Sequence, residues 1–228
     1  MDERLKRLFA LVVEEVIETA EPVGSQSLVE KHRLDVSSAT VRNWFAQLEE
    51  QGLMMQPHTS SGRIPTEQGY RLYVDELLDH RPLGKRDRQE LEQLATDEVD
   101  RIRRIKLIAK RIAEISGNAI VVGIGEADTY YTGLSQLFAQ PEFRDWNRMV
   151  SLGQILDRLD EVLHAVRRTR FDQPVALIGQ QCPFGSACSS MMFTLEDGTL
   201  FGVLGPMRMD YRRGFALLST IQELMSQH

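Results

Sequence analysis

Apolar residues recur three and four apart at Leu5, Leu8, Phe9, Val12, Val16 and Ile17, which predicts an amphipathic first helix that Glu21-Pro22 stops. Gly24-Ser25 restarts the chain, and Ser25 is read as the cap of a short helix running through His32. Arg33 to Val36 reads as a turn with two apolar anchors. Ser37 then caps a third helix over SSATVRNWFAQLEEQ, and Gly52 follows where a left-handed residue is wanted. Leu53–Gln56 predicts a short strand, the stretch from His58 a loop, and Thr66 the cap of a fourth helix. That helix carries Tyr70, Tyr73, Val74, Leu77 and Leu78 on one face.

Arg81-Pro82-Leu83-Gly84 breaks the pattern and predicts a boundary between one domain at 1–80 and a second at 85–228. One long helix is expected over 87–116, with Leu91, Leu94, Ile102, Ile105, Ile108, Ile112 and Ile115 inward and Gly117-Asn118 ending it. AIVVGIG (119–125) reads as a buried strand, roughly 132–168 as helical, and PVALIG (174–179) as another strand. Asp197-Gly198 between two apolar runs is a strong hairpin signal, and Asp210 to Met225 closes the chain with a helix. Helices on one antiparallel sheet make this an α+β arrangement.

Composition narrows the function classes. The chain has 228 residues, 42% hydrophobic and 26% charged, enough for two modest domains of ordinary globular make-up. No apolar run approaches the roughly 18 residues needed to span a bilayer, and acids run through the apolar N-terminus, unlike a secretory signal. Two cysteines are too few for a disulfide framework, which fits a reducing cytoplasm. Net charge is −6, and residues 1–80 carry all of it: 8 Lys and Arg against 14 Asp and Glu. No strongly basic domain announces nucleic acid, so any such function must rest on local arrangement.

That arrangement is present in the first eighty residues. Three helices, a two-stranded ribbon and a fourth helix is the order of a winged helix-turn-helix. Placing Val41, Phe45 and Leu48 inward leaves Ala39, Arg42, Asn43, Ala46 and Gln47 on the far side of the third helix. Small residues there permit close approach, while Arg suits guanine and Asn or Gln suits adenine. Ser37, Ser38 and Thr40 at the helix start suit phosphate contact through hydroxyls and free N–H groups. No acid stands between Asp35 and Glu49. In the loop HTSSGR, Gly62 is expected to allow a tight turn, and Ser60 and Ser61 to hydrogen-bond phosphates. Arg63 would follow the backbone or a narrow minor groove, with His58 and Thr59 where this wing meets DNA.

Competing explanations exist for each feature. A serine-rich loop with one arginine is an ordinary solvent loop when taken alone, and winged helices also serve as protein-docking modules, which the acidic total favours. In the second domain, Cys182 and Cys188 flank PFGSA without a nearby histidine, so no metal quartet is indicated. GQQCPFGSA lacks a phosphate-loop lysine, and His164 sits among apolar helix residues as a structural or surface side chain. The cluster Arg101, Arg103, Arg104, Lys106, Lys110 and Arg111 reads as a solvated face, with flanking DNA as the alternative. Met191, Met192, Met207 and Met209 read as core filler. No acid–base or nucleophile constellation points to an enzyme, and no cofactor is expected.

EPVGSQSL, VSSATVRNWFAQLEEQGLMMQPHTSSGRIPTEQGYRLYVD, GLSQLFAQPEF (133–143) and LGPMRMDYRRGFALL resemble the HrcA-type heat-inducible transcription repressors. The resemblance implies an N-terminal winged helix-turn-helix followed by a GAF-like domain with an antiparallel sheet and flanking helices. It also implies a repressor that binds an inverted repeat ahead of chaperone operons as a homodimer, tuned by the GroE chaperonin. Family members are longer, with a dimerisation segment inserted in the GAF-like domain. Here AIVVGIGEADTYYTGLSQL leaves almost no room for that insertion, and Trp44 stands where the family usually has a charged residue. The helix at 87–116 and the closing helix are then the expected dimer surfaces. A metabolite-sensing winged-helix regulator of other operons is the alternative within the same fold.

Overall fold

The first helix, α1 (Glu3–Thr19), starts where the Asp2 carboxylate accepts from the Leu5 N–H and ends at Ala20, whose φ of 59° is left-handed. Its apolar stripe buries Leu5, Leu8, Phe9, Val12, Val13 and Val16. The computed structural model describes residues 1–59, 61–97, 100–125 and 128–226. They form two compact units, Met1–Leu78 and Asp79–His228.

In the first unit, α2 spans Ser25–His32, but Ser25 is not its cap. Gly24 occupies that position without a side-chain bond, because Val23 is held extended in an isolated antiparallel bridge to Arg63 and the helix begins directly after it. Helix α3 (Ser38–Glu50) is capped as expected: the Ser37 Oγ accepts from the Thr40 N–H, and Val41, Phe45 and Leu48 are buried. Strands β1 (Met54–Met55) and β2 (Ile64–Pro65) pair antiparallel. Thr66 caps α4 (Glu67–Leu72), accepting from the Gly69 N–H, while its own hydroxyl donates to the Gly52 carbonyl at 2.6 Å. The chain then continues through one π-type turn, Tyr73–Leu77.

The second unit departs from expectation at its start. The single helix predicted over 87–116 is two, α5 (Lys85–Thr96) and α6 (Arg101–Ser116). Asp97 and Asp100 are both extended, with ψ of 135° and 152°, and the Asp100 carboxylate caps α6 by accepting from the Arg103 N–H. Short acids favour such caps over helix interiors. Ile102 in the first turn of α6 is therefore exposed, whereas Ile105, Ile108, Ile112 and Ile115 are buried. After Gly117, at φ 66°, comes β3 (Ala119–Ile124), buried at every position. Strand β4 (Asp128–Thr132) has no counterpart in the predicted elements. It is a partly exposed edge strand without the alternation that marks a half-buried one.

Helices α7 (Leu134–Phe138), α8 (Trp146–Leu156) and α9 (Leu159–Arg167), with a short 3-10 turn at Pro141–Arg144, fill the predicted helical region. Strands β5 (Val175–Ile178), β6 (Cys188–Thr194) and β7 (Leu200–Pro206) precede α10 (Tyr211–Ser226). The sheet order is β4-β3-β7-β6-β5, antiparallel throughout. One face presents Ala119, Val121, Cys188, Met192, Leu200 and Leu204 to Leu137, Phe143, Leu152, Leu159 and Leu163 from the helical region. By strand alternation Met191 points to the other face, where its Sδ and Cε lie against Gly214 of α10. Among the described residues, no helix is long and apolar enough to cross a membrane.

Cys182 and Cys188 are both buried and unpaired with each other. Burial pushes their thiols up to about 11 and about 12 respectively. Among the described residues, no three or more His, Cys, Asp and Glu side chains gather as a metal site, and His164 is exposed.

Two outcomes test this packing. A Cβ on Gly69 would lie 2.2 Å from the Leu53 carbonyl oxygen. Gly69→Ala should cost about 1–3 kcal/mol in urea unfolding, since backbone rather than a flexible side chain must move. At pH 8 only about one thiol in a thousand or fewer is ionised in the folded state, so alkylation of both cysteines should proceed no faster than unfolding. Because the folded values are raised above the ordinary 9.0, the stability from keeping these thiols neutral is fully present below about pH 9. It is lost as pH rises toward 11 to 12.

Candidate nucleic-acid interface

Helix α3 turns a continuous polar face outward. Ala39, Arg42, Asn43, Ala46 and Gln47 are all exposed, opposite the buried Val41, Phe45 and Leu48. Trp44, at the side of the helix, is partly buried. At the helix start Ser37 is exposed, while Ser38 and Thr40 are partly so. The Ser37 Oγ lies 2.9 Å from the Thr40 Oγ1, and the first-turn N–H groups point along the axis as at any helix start. An exposed helix face of this kind fits the width of a DNA major groove, and its start is a natural anion site.

Charge pairing sorts the basic residues of this unit. The Lys31 ammonium lies 2.8 Å from Glu15 and 3.1 Å from Glu18, and His32 lies 3.3 Å from Glu15. Burial raises the Glu15 carboxyl, but hydrogen bonds from Lys31 and His32 outweigh it and hold that carboxyl below the usual value. Lys6 pairs with Glu76, Arg71 with Glu67, and Arg63 with Glu49. Arg42 instead donates from Nε to the Ser25 Oγ at 3.3 Å and pairs with no carboxylate among the described residues. The one cation on the outer face of α3 is thus left with its charge uncompensated by a neighbouring acid.

The loop between β1 and β2 is built differently from expectation. Gly62 is not in a left-handed conformation; it is needed for close approach. A Cβ there would lie 2.5 Å from the Val23 carbonyl group, in the bridge where Val23 and Arg63 exchange two N–H···O bonds of 2.9 Å each. The Ser61 hydroxyl donates to the His58 carbonyl at 2.7 Å and accepts from the His58 N–H at 3.1 Å. The Gln56 amide donates to the Ser61 carbonyl. Arg63 folds back toward α3, its Nε 2.8 Å from Glu49 Oε1 and its side chain 22% exposed. Gln56, His58 and Thr59 are the exposed residues of the loop among those described; Ser60 lies outside the described residues. The structure therefore places Ser61 and Arg63 in contacts that hold the loop, and His58, Thr59 and the α3 face outward. Val23, Ser25 and Glu49, which shape this surface, carry no local sequence signal for it, because their partners are distant along the chain.

Two of the six residues in the predicted basic cluster on α6 pair with carboxylates among the described residues. Arg101 pairs with Asp197, Arg111 with Glu90 and Glu114, and Arg104 donates to the Asp97 carbonyl. Lys106 sits 5.4 Å from the ring centre of Tyr130, a cation–π contact.

A family model described as the HrcA protein C-terminal domain matches residues 66–214. The chain belongs to the HrcA family. The heat-inducible transcription repressor HrcA of Clavibacter michiganensis subsp. michiganensis is 34% identical over 187 residues, 78% of this chain and 55% of that protein. Its namesake from Acidothermus cellulolyticus is 43% identical over 122 residues, 54% of this chain and 36% of that protein. The matches thus span about a third to a half of the length of these HrcA relatives. A crystal structure at 2.2 Å resolution, described as that of a hypothetical protein, superposes with a TM-score of 0.78 over 100% of this chain and 97% of its own. At 15% identity it speaks for the fold alone.

Gly62→Ala tests the loop geometry of this HrcA-family chain directly. The backbone of Val23 cannot yield without parting the bridge, so amide exchange at Val23 and Arg63 should accelerate and thermal stability should fall by about 1–3 kcal/mol. Unchanged protection at both amides would contradict the close approach.

Proposed function

We propose that this chain is a DNA-binding transcription repressor of heat-shock chaperone genes. In this proposal the first unit is a winged helix-turn-helix and the second a GAF-like regulatory and dimerisation domain. The observation that carries it is the exposed, acid-free strip of α3, with Arg42 uncompensated, beside a loop fixed in place by main-chain bonds. The relatives named as heat-inducible transcription repressors support the choice of target genes.

Helix α3 acts as the recognition helix. Arg42, Asn43 and Gln47 reach base edges, with Ala39 allowing close approach. Ser37, Ser38 and Thr40 hold a phosphate at the helix start, and the loop residues His58, Thr59 and Ser60 meet the neighbouring backbone. Ser61 and Arg63 contribute through the shape of that loop. One such helix reads only a few base pairs, so the protein works as a homodimer on a two-fold, inverted-repeat site, which doubles the contact set. The strip from Ser37 to Leu48 itself carries no acid, so binding is expected to depend steeply on salt without being tight on arbitrary sequence. The chain acts as a regulator rather than an enzyme, with no cofactor in the proposed step.

Arg42→Ala decides between reading bases and merely facing solvent. On an inverted-repeat chaperone-promoter duplex it should cost about 1–3 kcal/mol and relax specificity. Equal losses on that duplex and a scrambled one would argue against base reading.

A further inference from the structure

Helix α3 ends in two acids, Glu49, partly buried, and Glu50, exposed. A carboxylate beside a DNA site ordinarily weakens binding, because it repels phosphates. Here Glu49 is paired with Arg63 at 2.8 Å, and both side chains are less than a third exposed. Arg63 is also the residue whose main chain bridges to Val23, and its Nη1 lies 3.4 Å from the Ser61 carbonyl. One residue thus ties the loop to the α1–α2 connection through its backbone and to α3 through its side chain.

We infer that Glu49 is a positioning residue for DNA binding: it holds Arg63, and with it the loop, in the orientation that lets loop and α3 meet the duplex together. The inference rests on the DNA-binding proposal for its consequence, but the hold itself exists without DNA. Arg63 then contributes by placing the loop and not by neutralising a phosphate, since its charge is already spent on Glu49. The two roles predict opposite signs. If Glu49 positions the loop, removing its charge weakens binding although the surface becomes less acidic. If Arg63 serves phosphate directly, removing Glu49 frees it and strengthens binding.

The test uses Glu49→Gln, Arg63→Gln and the double variant in the full chain. Fluorescence anisotropy is read on an inverted-repeat chaperone-promoter duplex across a salt series, and amide exchange is followed without DNA. Each variant should lose about three- to tenfold in affinity, the size of one partly buried ion pair, and the double variant little more than either single. The slope of log affinity against log salt should stay at the wild-type value, and exchange at Val23 and Arg63 should quicken. Tighter binding by Glu49→Gln, with the Arg63→Gln slope shallower by about 0.9, would overturn the inference and place Arg63 on a phosphate. Should the wild-type chain show no sequence preference on any duplex, the DNA proposal falls by itself. Exchange still decides the hold: unchanged protection in Glu49→Gln overturns it, and faster exchange upholds it.

Discussion

Two main-chain hydrogen bonds between Val23 and Arg63 govern the architecture of the first unit. They join the α1–α2 connection to a loop forty residues later, and they require glycine at 62 because no Cβ fits against Val23. With Val23 extended, α2 can begin only at Ser25, which puts the Ser25 hydroxyl within reach of Arg42 on α3. With Arg63 fixed, its side chain reaches Glu49 at the other end of α3. The helix proposed to read DNA is therefore braced at both ends by residues that follow from a single bridge.

The second unit solves a comparable problem at its sheet edge. Ile124 pairs with Asp128, so only three residues connect β3 to β4. Arg167 of α9 lies over Gly123, where a Cβ would be 2.2 Å from the guanidinium, and donates to the carbonyls of Gly125 at 2.7 Å and Asp128 at 3.1 Å. Burial pulls this arginine below its ordinary value, yet a guanidinium remains charged at any working pH. A long side chain from a neighbouring helix thus ties together the carbonyls on either side of this short connection.

Helical periodicity and caps were legible in the sequence wherever the deciding contact is local. The 3.6-residue stripe of α1, the Ser37 and Thr66 caps, and the Asp197-Gly198 hairpin all depend on neighbours a few positions away. So did the outward face of α3, since burying Val41, Phe45 and Leu48 leaves only one side for Arg42, Asn43 and Gln47. The misread places depend on distant partners or on competing local bonds. Ser25 looked like a cap because the bridge that displaces it comes from Arg63. Residues 87–116 looked like one helix because the apolar spacing continues across Asp97 and Asp100, whose capping preference breaks it. Strand β4 lacks an apolar pattern because an edge strand needs none, and Gly62 signals a turn in sequence while serving close approach in space.

Electrostatics unify the proposed function. Pairing of Glu15, Glu18, Glu49, Glu67 and Glu76 with cations of the same unit offsets part of its negative charge. From the start of α3 to Gln47, what faces outward is one guanidinium, two amides, two alanines and a capped helix start, with Glu50 exposed at the far end. The most direct measurement is the affinity of the wild-type chain for an inverted-repeat chaperone-promoter duplex and for its scrambled counterpart, each across a salt series. The expected result is tight, sequence-selective binding that weakens steeply with salt. Binding that is weak and equal on both duplexes would contradict it.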